Sequence, residues 1–142
     1  MPILFDSSIY ISALRIGGDA RFLLQRWARD SPLWLSSVVL EELYAGATRN
    51  DDRILEKLER DFDRARRVLV PNLSDWTHAG RILSRMAEKY GYEQIGRARL
   101  TNDALIATSA AHAGITVVTV NQRDFARLAE FCPLQWQTRM IP

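Results

Sequence analysis

At 142 residues the chain suits one domain, expected to span residues 1–142, and leaves little room for two. A composition of 47% hydrophobic and 25% charged residues argues against disorder, and the apolar runs are too short to span a membrane. The net charge of +2 names no partner, and a single cysteine, Cys132, excludes an intrachain disulfide or a cysteine-built zinc site.

Short apolar runs alternate with longer stretches of helical period, which predicts an α/β domain around a mainly parallel sheet. The opening Met1-Pro2-Ile3-Leu4-Phe5-Asp6 has no basic region and no long apolar stretch, so no secretory signal is expected and a cytoplasmic location fits. The first strand runs from Pro2 to Phe5 and ends at Asp6. Ser7 or Ser8 can cap a short helix carrying Ile9, Tyr10, Ala13 and Leu14, which Gly17-Gly18 breaks. Asp19 then opens a helix with Phe22, Leu23 and Trp27 on its apolar face. A second strand, Leu33 to Ser36, leads directly into a helix that sets Val39, Leu43 and Gly46 on one face. Asp51 and Asp52 begin a charged helix with Ile54, Leu55, Leu58 and Phe62 inside. Its acids come early and Arg64, Arg66 and Arg67 late, the order the helix dipole prefers.

A third strand, Val68 to Val70, stops at Pro71. Ser74 is the predicted cap of the next helix, where Trp76, Ala79, Ile82, Leu83, Met86 and Tyr90 recur at helical spacing and Gly91 ends the run. Residues 91 to 100 read as a loop holding Arg97 and Arg99. Thr101 then caps a small-residue helix from Asn102 to about Ala113, ended by Gly114. Ile115 to Val120, the most apolar and β-branched run, is the predicted fourth strand. A short helix from Gln122 to about Ala129 follows, and residues 134 to 137 are a candidate edge strand.

Four acids fall past strand ends or near helix starts, where open α/β sheets place their chemistry. Asp6 follows strand one, and Asp124 follows strand four. Asp103 lies in the first turn of the predicted small-residue helix, and Glu42 shares a helix face with Val39 and Leu43. Singly, each has an ordinary explanation as a turn residue, a solvated face or a helix N-terminal acid. Together they need another, because burying a lone carboxylate is costly. Two ionised carboxylates about 4 Å apart repel by roughly 4 kcal/mol at an effective dielectric of about 20. Such a cluster calls for a cation, and hard oxygen ligands select magnesium or manganese. The ion can activate water and neutralise charge on a phosphodiester. Basic residues other than Lys57 and Lys89 are arginine, a planar fork for phosphate, although a GC-rich genome gives the same bias. His78 and His112 have no ligand-like spacing and read as structural or surface residues. Trp27, Trp34, Trp76 and Trp136 read as core or interface rather than base-stacking platforms.

The local motifs resemble one family. Phe5-Asp6-Ser7-Ser8 resembles the strand-one Asp-Thr/Ser motif of PIN domains. The run from Ser36 to Gly46, with Glu42-Leu43-Tyr44-Ala45-Gly46, is similar to their Ser...Glu-Leu-x-x-Gly helix. Asn102-Asp103-Ala104-Leu105-Ile106-Ala107 is similar to the Asn-Asp-Ala-Leu-Ile-Ala signature, and Thr119-Val120-Asn121-Gln122-Arg123-Asp124-Phe125 to the Thr-x-Asn-x-x-Asp-Phe ending. Each motif alone is weak, but the four in family order are specific. The branch most resembled is the VapC-type toxin of bacterial toxin–antitoxin pairs.

The resemblance implies a three-layer α/β/α sandwich around a mainly parallel sheet, with strands one and four adjacent. It implies a Mg²⁺- or Mn²⁺-dependent endoribonuclease, homodimeric and held inactive by a cognate antitoxin. Asp6, Glu42, Asp103 and Asp124 would form the catalytic, metal-binding cluster, supported by Ser7, Thr119 and Asn121. Ser7 stands where threonine is commoner, and Glu42 is preferred over Glu41 because it carries the Leu-x-x-Gly spacing. Arg97, Arg99 and Arg123 are candidate RNA-phosphate contacts, with ordinary solvated arginines the alternative. Hydrolysis by an activated water predicts a 3′-hydroxyl and a 5′-phosphate, without the ribose 2′-hydroxyl as nucleophile.

Three rivals remain. Phosphoryl-transfer proteins also place an aspartate after strand one, but no lysine follows Lys89 and no Asp-x-Asp motif is present. A catalytically silent RNA-binding or regulatory module on the same fold is the second. A nuclease acting on DNA is the third.

Overall fold

Five strands form one sheet in the computed structural model, which describes residues 1–16, 20–94 and 98–139, without the side chains of residues 20–23, 94, 98 and 99. In chain order they are β1 (Ile3–Phe5), β2 (Leu33–Ser36), β3 (Val68–Leu69), β4 (Thr116–Thr119) and β5 (Trp136–Thr138). Their spatial order is β3-β2-β1-β4-β5, and each neighbouring pair runs parallel. Helices connect them: α1 (Ser7–Ile16), α2 (Ala20–Ala28), α3 (Ser37–Ala45), α4 (Asp52–Arg64), α5 (Leu73–Tyr90), α6 (Ala98–Ala113) and α7 (Gln122–Leu128). A 3-10 turn at Tyr92–Gln94 follows α5. The arrangement is the α/β domain with a parallel sheet that the alternation of runs predicts, in the α/β/α sandwich that the family resemblance implies.

The central strands carry apolar side chains on both faces, as parallel strands covered by helices must. Every residue of β1 and of β4 is buried. The edge strands β3 and β5 are short and only partly covered, which limits pairing with other chains. Fully burying a side chain such as Phe5, Leu35 or Phe125 contributes roughly 2 kcal/mol. Ala104, Ala107 and Ala110 of α6 are wholly buried, and their small size lets this helix approach its neighbours closely. Among the described helices, none is long and apolar enough to cross a membrane.

The strand order reverses between β1 and β4. In open α/β sheets the crevice past the carboxyl ends of two such strands is where ligands bind. The register pairs Phe5 with Val118, so Asp6 emerges beside Thr119.

Several local expectations need correction. α6 begins at Ala98 rather than Asn102, because Leu100 is 7% exposed and extends the buried face backwards. Thr101 is therefore not a cap, and Asp103 lies in the second turn of α6, beyond the reach of a first-turn dipole explanation. α5 is capped by Asn72, not Ser74. Asn72 Oδ1 accepts from the Asp75 N–H at 2.9 Å, while Asp75 Oδ2 accepts from the Asn72 N–H at 3.0 Å. Trp76 and Ile54 are exposed rather than inside, and β3 stops at Leu69, leaving Val70 in solvent. β5 is the expected edge strand, shifted to Trp136–Thr138. Gly91 and Gly114 end their helices with φ of 103° and 71°, conformations that glycine adopts without strain. The Gly17-Gly18 break, the helix start at Asp19, and the Phe22 and Leu23 side chains lie outside the described residues.

Candidate functional site

The site grows from the ends of β1 and β4. Asp6 is 2% exposed, and its N–H continues the ladder to the Val118 carbonyl at 3.0 Å. Its Oδ1 accepts from the Ser7 N–H at 2.7 Å and from Ser7 Oγ at 3.4 Å. Its Oδ2 accepts from Thr119 Oγ1 at 2.8 Å and from Ser8 Oγ at 3.3 Å. Hydrogen bonds to both oxygens fix the orientation of this carboxylate.

Thr119 passes the connection on. Its buried Oγ1 donates to Asp6 and accepts from the Asn121 N–H at 2.9 Å. Asn121 is the N-cap of α7, where its Oδ1 accepts from the Asp124 N–H at 3.4 Å. Its Nδ2 reaches Asp124 Oδ2 at 3.0 Å and Asp103 Oδ2 at 3.4 Å. One amide therefore draws together a carboxylate from α7 and one from α6. The structure so joins Asp6, Asp103 and Asp124 in one polar network through Thr119 and Asn121, with Ser7 at its edge.

Glu42 is half-buried on α3, whose N-terminus is fixed by Ser36 Oγ accepting from the Val38 and Val39 N–H groups at 3.2 and 3.5 Å. Its neighbour Glu41 accepts through Oε2 from Asn102 Nδ2 at 3.3 Å, so α3 meets α6 beside Asp103. Sequence reasoning set Glu41 aside and gave Asn102 no role. It also missed Ser8 as a donor to Asp6, although the serine pair after strand one was a visible signal. Arg123 is exposed on α7, while Arg97 and the Arg99 side chain lie outside the described residues. His78 is exposed, and His112 Nδ1 stands 3.3 Å from Asp75 Oδ1, away from the acid network.

The donor set suits a hard divalent cation. Asp103 and Asp124 present carboxylate oxygens to a common point, and Asp6 adds a third on the same network. Among the described residues, no three acidic, histidine or cysteine groups stand as a ready metal cage. Magnesium needs none, since it keeps several waters and takes only one or two carboxylates directly.

A separate groove of about 840 Å³ opens over Tyr10, Leu14, Leu24, Leu55, Leu58 and Phe62. None of the four candidate acids lines it.

The family model that describes the PIN domain matches residues 3–131. A search of curated proteins found no match. The structure is similar to VapBC2 from Rickettsia felis bound to a DNA fragment from their promoter, with TM-score 0.67, 20% identity, and coverage of 99% of this chain and 100% of that one. It is similar to DNA-bound VapBC from Salmonella typhimurium, with TM-score 0.67, 22% identity, and coverage of 97% and 98%. It is also similar to VapBC-1 from nontypeable Haemophilus influenzae, with TM-score 0.65, 24% identity, and coverage of 97% and 98%. At such identities the likeness establishes the fold.

Proposed function

We propose, from the premise that this chain belongs to the PIN-domain family, that it is a metal-dependent endoribonuclease and the toxin of a toxin–antitoxin pair. The observation that carries the reading is the network of Asp6, Thr119, Asn121, Asp103 and Asp124 at the point where the strand order reverses. The three similar solved structures described above are VapBC assemblies, which supports a cognate antitoxin as partner. The protein is proposed to act as a homodimer in the cytoplasm.

In this reading Asp6, Asp103 and Asp124 hold Mg²⁺ or Mn²⁺, directly or through water. Glu42 helps hold a second ion or orients the attacking water. Thr119 and Ser7 keep Asp6 aimed, and Asn121 sets the approach of Asp103 and Asp124. The ion supplies activation of water and neutralises charge developing on the phosphodiester. Arg123 offers a phosphate contact on the rim. Attack in line leaves a 3′-hydroxyl and a 5′-phosphate.

The test is cleavage of total cellular RNA with Mg²⁺ or Mn²⁺, with EDTA and Asp103→Asn as controls. Discrete fragments bearing 5′-phosphates are expected only with metal and intact Asp103. Losing several kcal/mol of charge stabilisation makes the variant slower by at least about 100-fold. Fragments with 5′-hydroxyls and cyclic phosphates overturn the mechanism. Intact RNA with folded, antitoxin-free protein favours the silent binding module or a DNA target.

A further inference from the structure

We infer that Glu41 and Asn102 are a positioning pair that sets the spacing between Glu42 and Asp103, an inference that rests on the metal-dependent reading above. Each residue immediately precedes a candidate acid, one on α3 and one on α6. Their side chains meet at 3.3 Å, Asn102 Nδ2 donating to Glu41 Oε2, across 61 residues of sequence. Consecutive helical residues are about 100° apart around the axis and 1.5 Å along it. The bond therefore constrains the rotation of each helix at the turn that carries its acid.

Other described anchors of α3 act differently. Val39 and Leu43 bury against the core without directional bonds. Tyr44 donates to Glu59 Oε1 at 2.8 Å, which ties α3 to α4 rather than α6. Because Glu41 is exposed, water compensates much of the bond when it is broken, so it adds little to folding stability. Metal geometry is less forgiving, since magnesium demands near-ideal octahedral distances of about 2.0–2.1 Å. The role of the pair thus shows in metal affinity rather than in unfolding.

The experiment is Mn²⁺ titration by calorimetry without RNA, with thermal unfolding of every variant. The set is wild type, Asp103→Asn, Glu41→Ala, Glu41→Gln, Asn102→Ala and the double alanine variant. Glu41→Ala and Asn102→Ala are each expected to weaken Mn²⁺ binding about ten-fold, the lower end for residues that orient metal ligands. Glu41→Gln keeps an acceptor oxygen and is expected to bind like the wild type. The double variant is expected to be no weaker than either single one, with all unfolding midpoints unchanged. If Glu41→Gln loses as much as Glu41→Ala, the effect lies in charge and the pair is overturned. Wild-type affinity in both alanine variants, alongside failure of Asp103→Asn to bind, overturns it as well. If the wild type binds no Mn²⁺, or Asp103→Asn binds equally well, the metal-dependent reading itself fails and takes the pair with it.

Discussion

The strand-end half of the candidate site and the seam between α3 and α6 are held in different ways. At the strand end the two oxygens of Asp6 receive four described donors, and Thr119 also engages Asn121. Asp6, Ser7 and Thr119 are all buried. At the seam, exposed Glu41 takes one bond of 3.3 Å from Asn102. In a low-dielectric interior each unpaired polar group is costly, so a buried network persists only when its members are satisfied. At the surface water replaces a lost partner. The same molecule thereby combines a rigid anchor, Asp6, with a helix whose setting is cheap to alter. Damage to the anchor should cost stability and metal binding together, whereas damage to the seam should cost metal binding alone.

The sharpest way to break this contrast is Thr119→Val. The change keeps shape and removes the hydroxyl that donates to Asp6 at 2.8 Å and accepts from the Asn121 N–H at 2.9 Å. Taking one donor from buried Asp6 and the acceptor from the part-buried Asn121 N–H is expected to cost about 1–3 kcal/mol of stability, measured by urea unfolding. Mn²⁺ affinity is expected to fall about 10–100-fold, the usual effect of removing a group that orients a metal ligand. Thr119→Ser should restore both. A Thr119→Val protein as stable as the wild type removes the basis for calling the strand end rigid.

Tyr10 tests the converse, on the same helix that supplies Ser7 and Ser8. Its ring meets Phe5 edge-on at 6.2 Å, but its buried hydroxyl has no hydrogen-bond partner among the described residues. Burial pushes the phenol above its usual range, because the charged form loses hydration. Tyr10→Phe keeps the ring and removes the orphan group. Thermal unfolding should show a protein unchanged or more stable by up to about 1 kcal/mol, opposite in sign to Thr119→Val. A loss as large as that at Thr119 shows instead that the hydroxyl is satisfied, and the contrast within α1 disappears.

Much of this organisation was legible in the sequence. Strand two and the β-branched strand four appear as expected, because continuous apolar runs leave a central parallel strand few alternatives, and the adjacency of strands one and four is the one the family resemblance implies. The positions of Thr119 and Asn121 followed from the motif after strand four. The start of α6 did not, because Thr101 before Asn102-Asp103 looks like a cap, while the buried Leu100 carries the helix further back. Ser74 and Asn72 are both good caps by residue type, and only the bonds exchanged with Asp75 make Asn72 the cap. The Glu41–Asn102 bond joins residues 61 positions apart, and local periodicity carries no signal for such a pair. What was illegible was the choice among equivalent polar donors, which tertiary packing makes.

The smallest expected effect separates hydrogen-bond satisfaction from burial. Lys89 Nζ lies 2.6 Å from Glu130 Oε1, the Tyr90 hydroxyl donates to Glu130 Oε2, and the Arg127 guanidinium stacks 4.2 Å from the Tyr90 ring. Both oxygens of Glu130 accept hydrogen bonds, as those of Asp6 do, yet Glu130 faces solvent. The Lys89 and Tyr90 hydrogen bonds hold the Glu130 carboxyl below its ordinary value of 4.5. A depressed folded-state pKa gives stabilisation that is present above the unfolded value and is lost as pH falls through the folded one. Lys89 is raised above its ordinary 10.5, chiefly by its bond to Glu130, so its contribution is present below that value and lost as pH rises through the folded one. Between these limits Glu130→Gln should be slightly less stable than the wild type, by less than Thr119→Val. The difference should shrink on acidification below 4.5 and in about 1 M salt, where screening acts over roughly 3 Å. Urea unfolding at neutral and acid pH, with and without salt, measures it. A difference that survives both acid and salt means that connection alone stabilises, and the distinction between a buried anchor and a solvent-compensated seam fails with it.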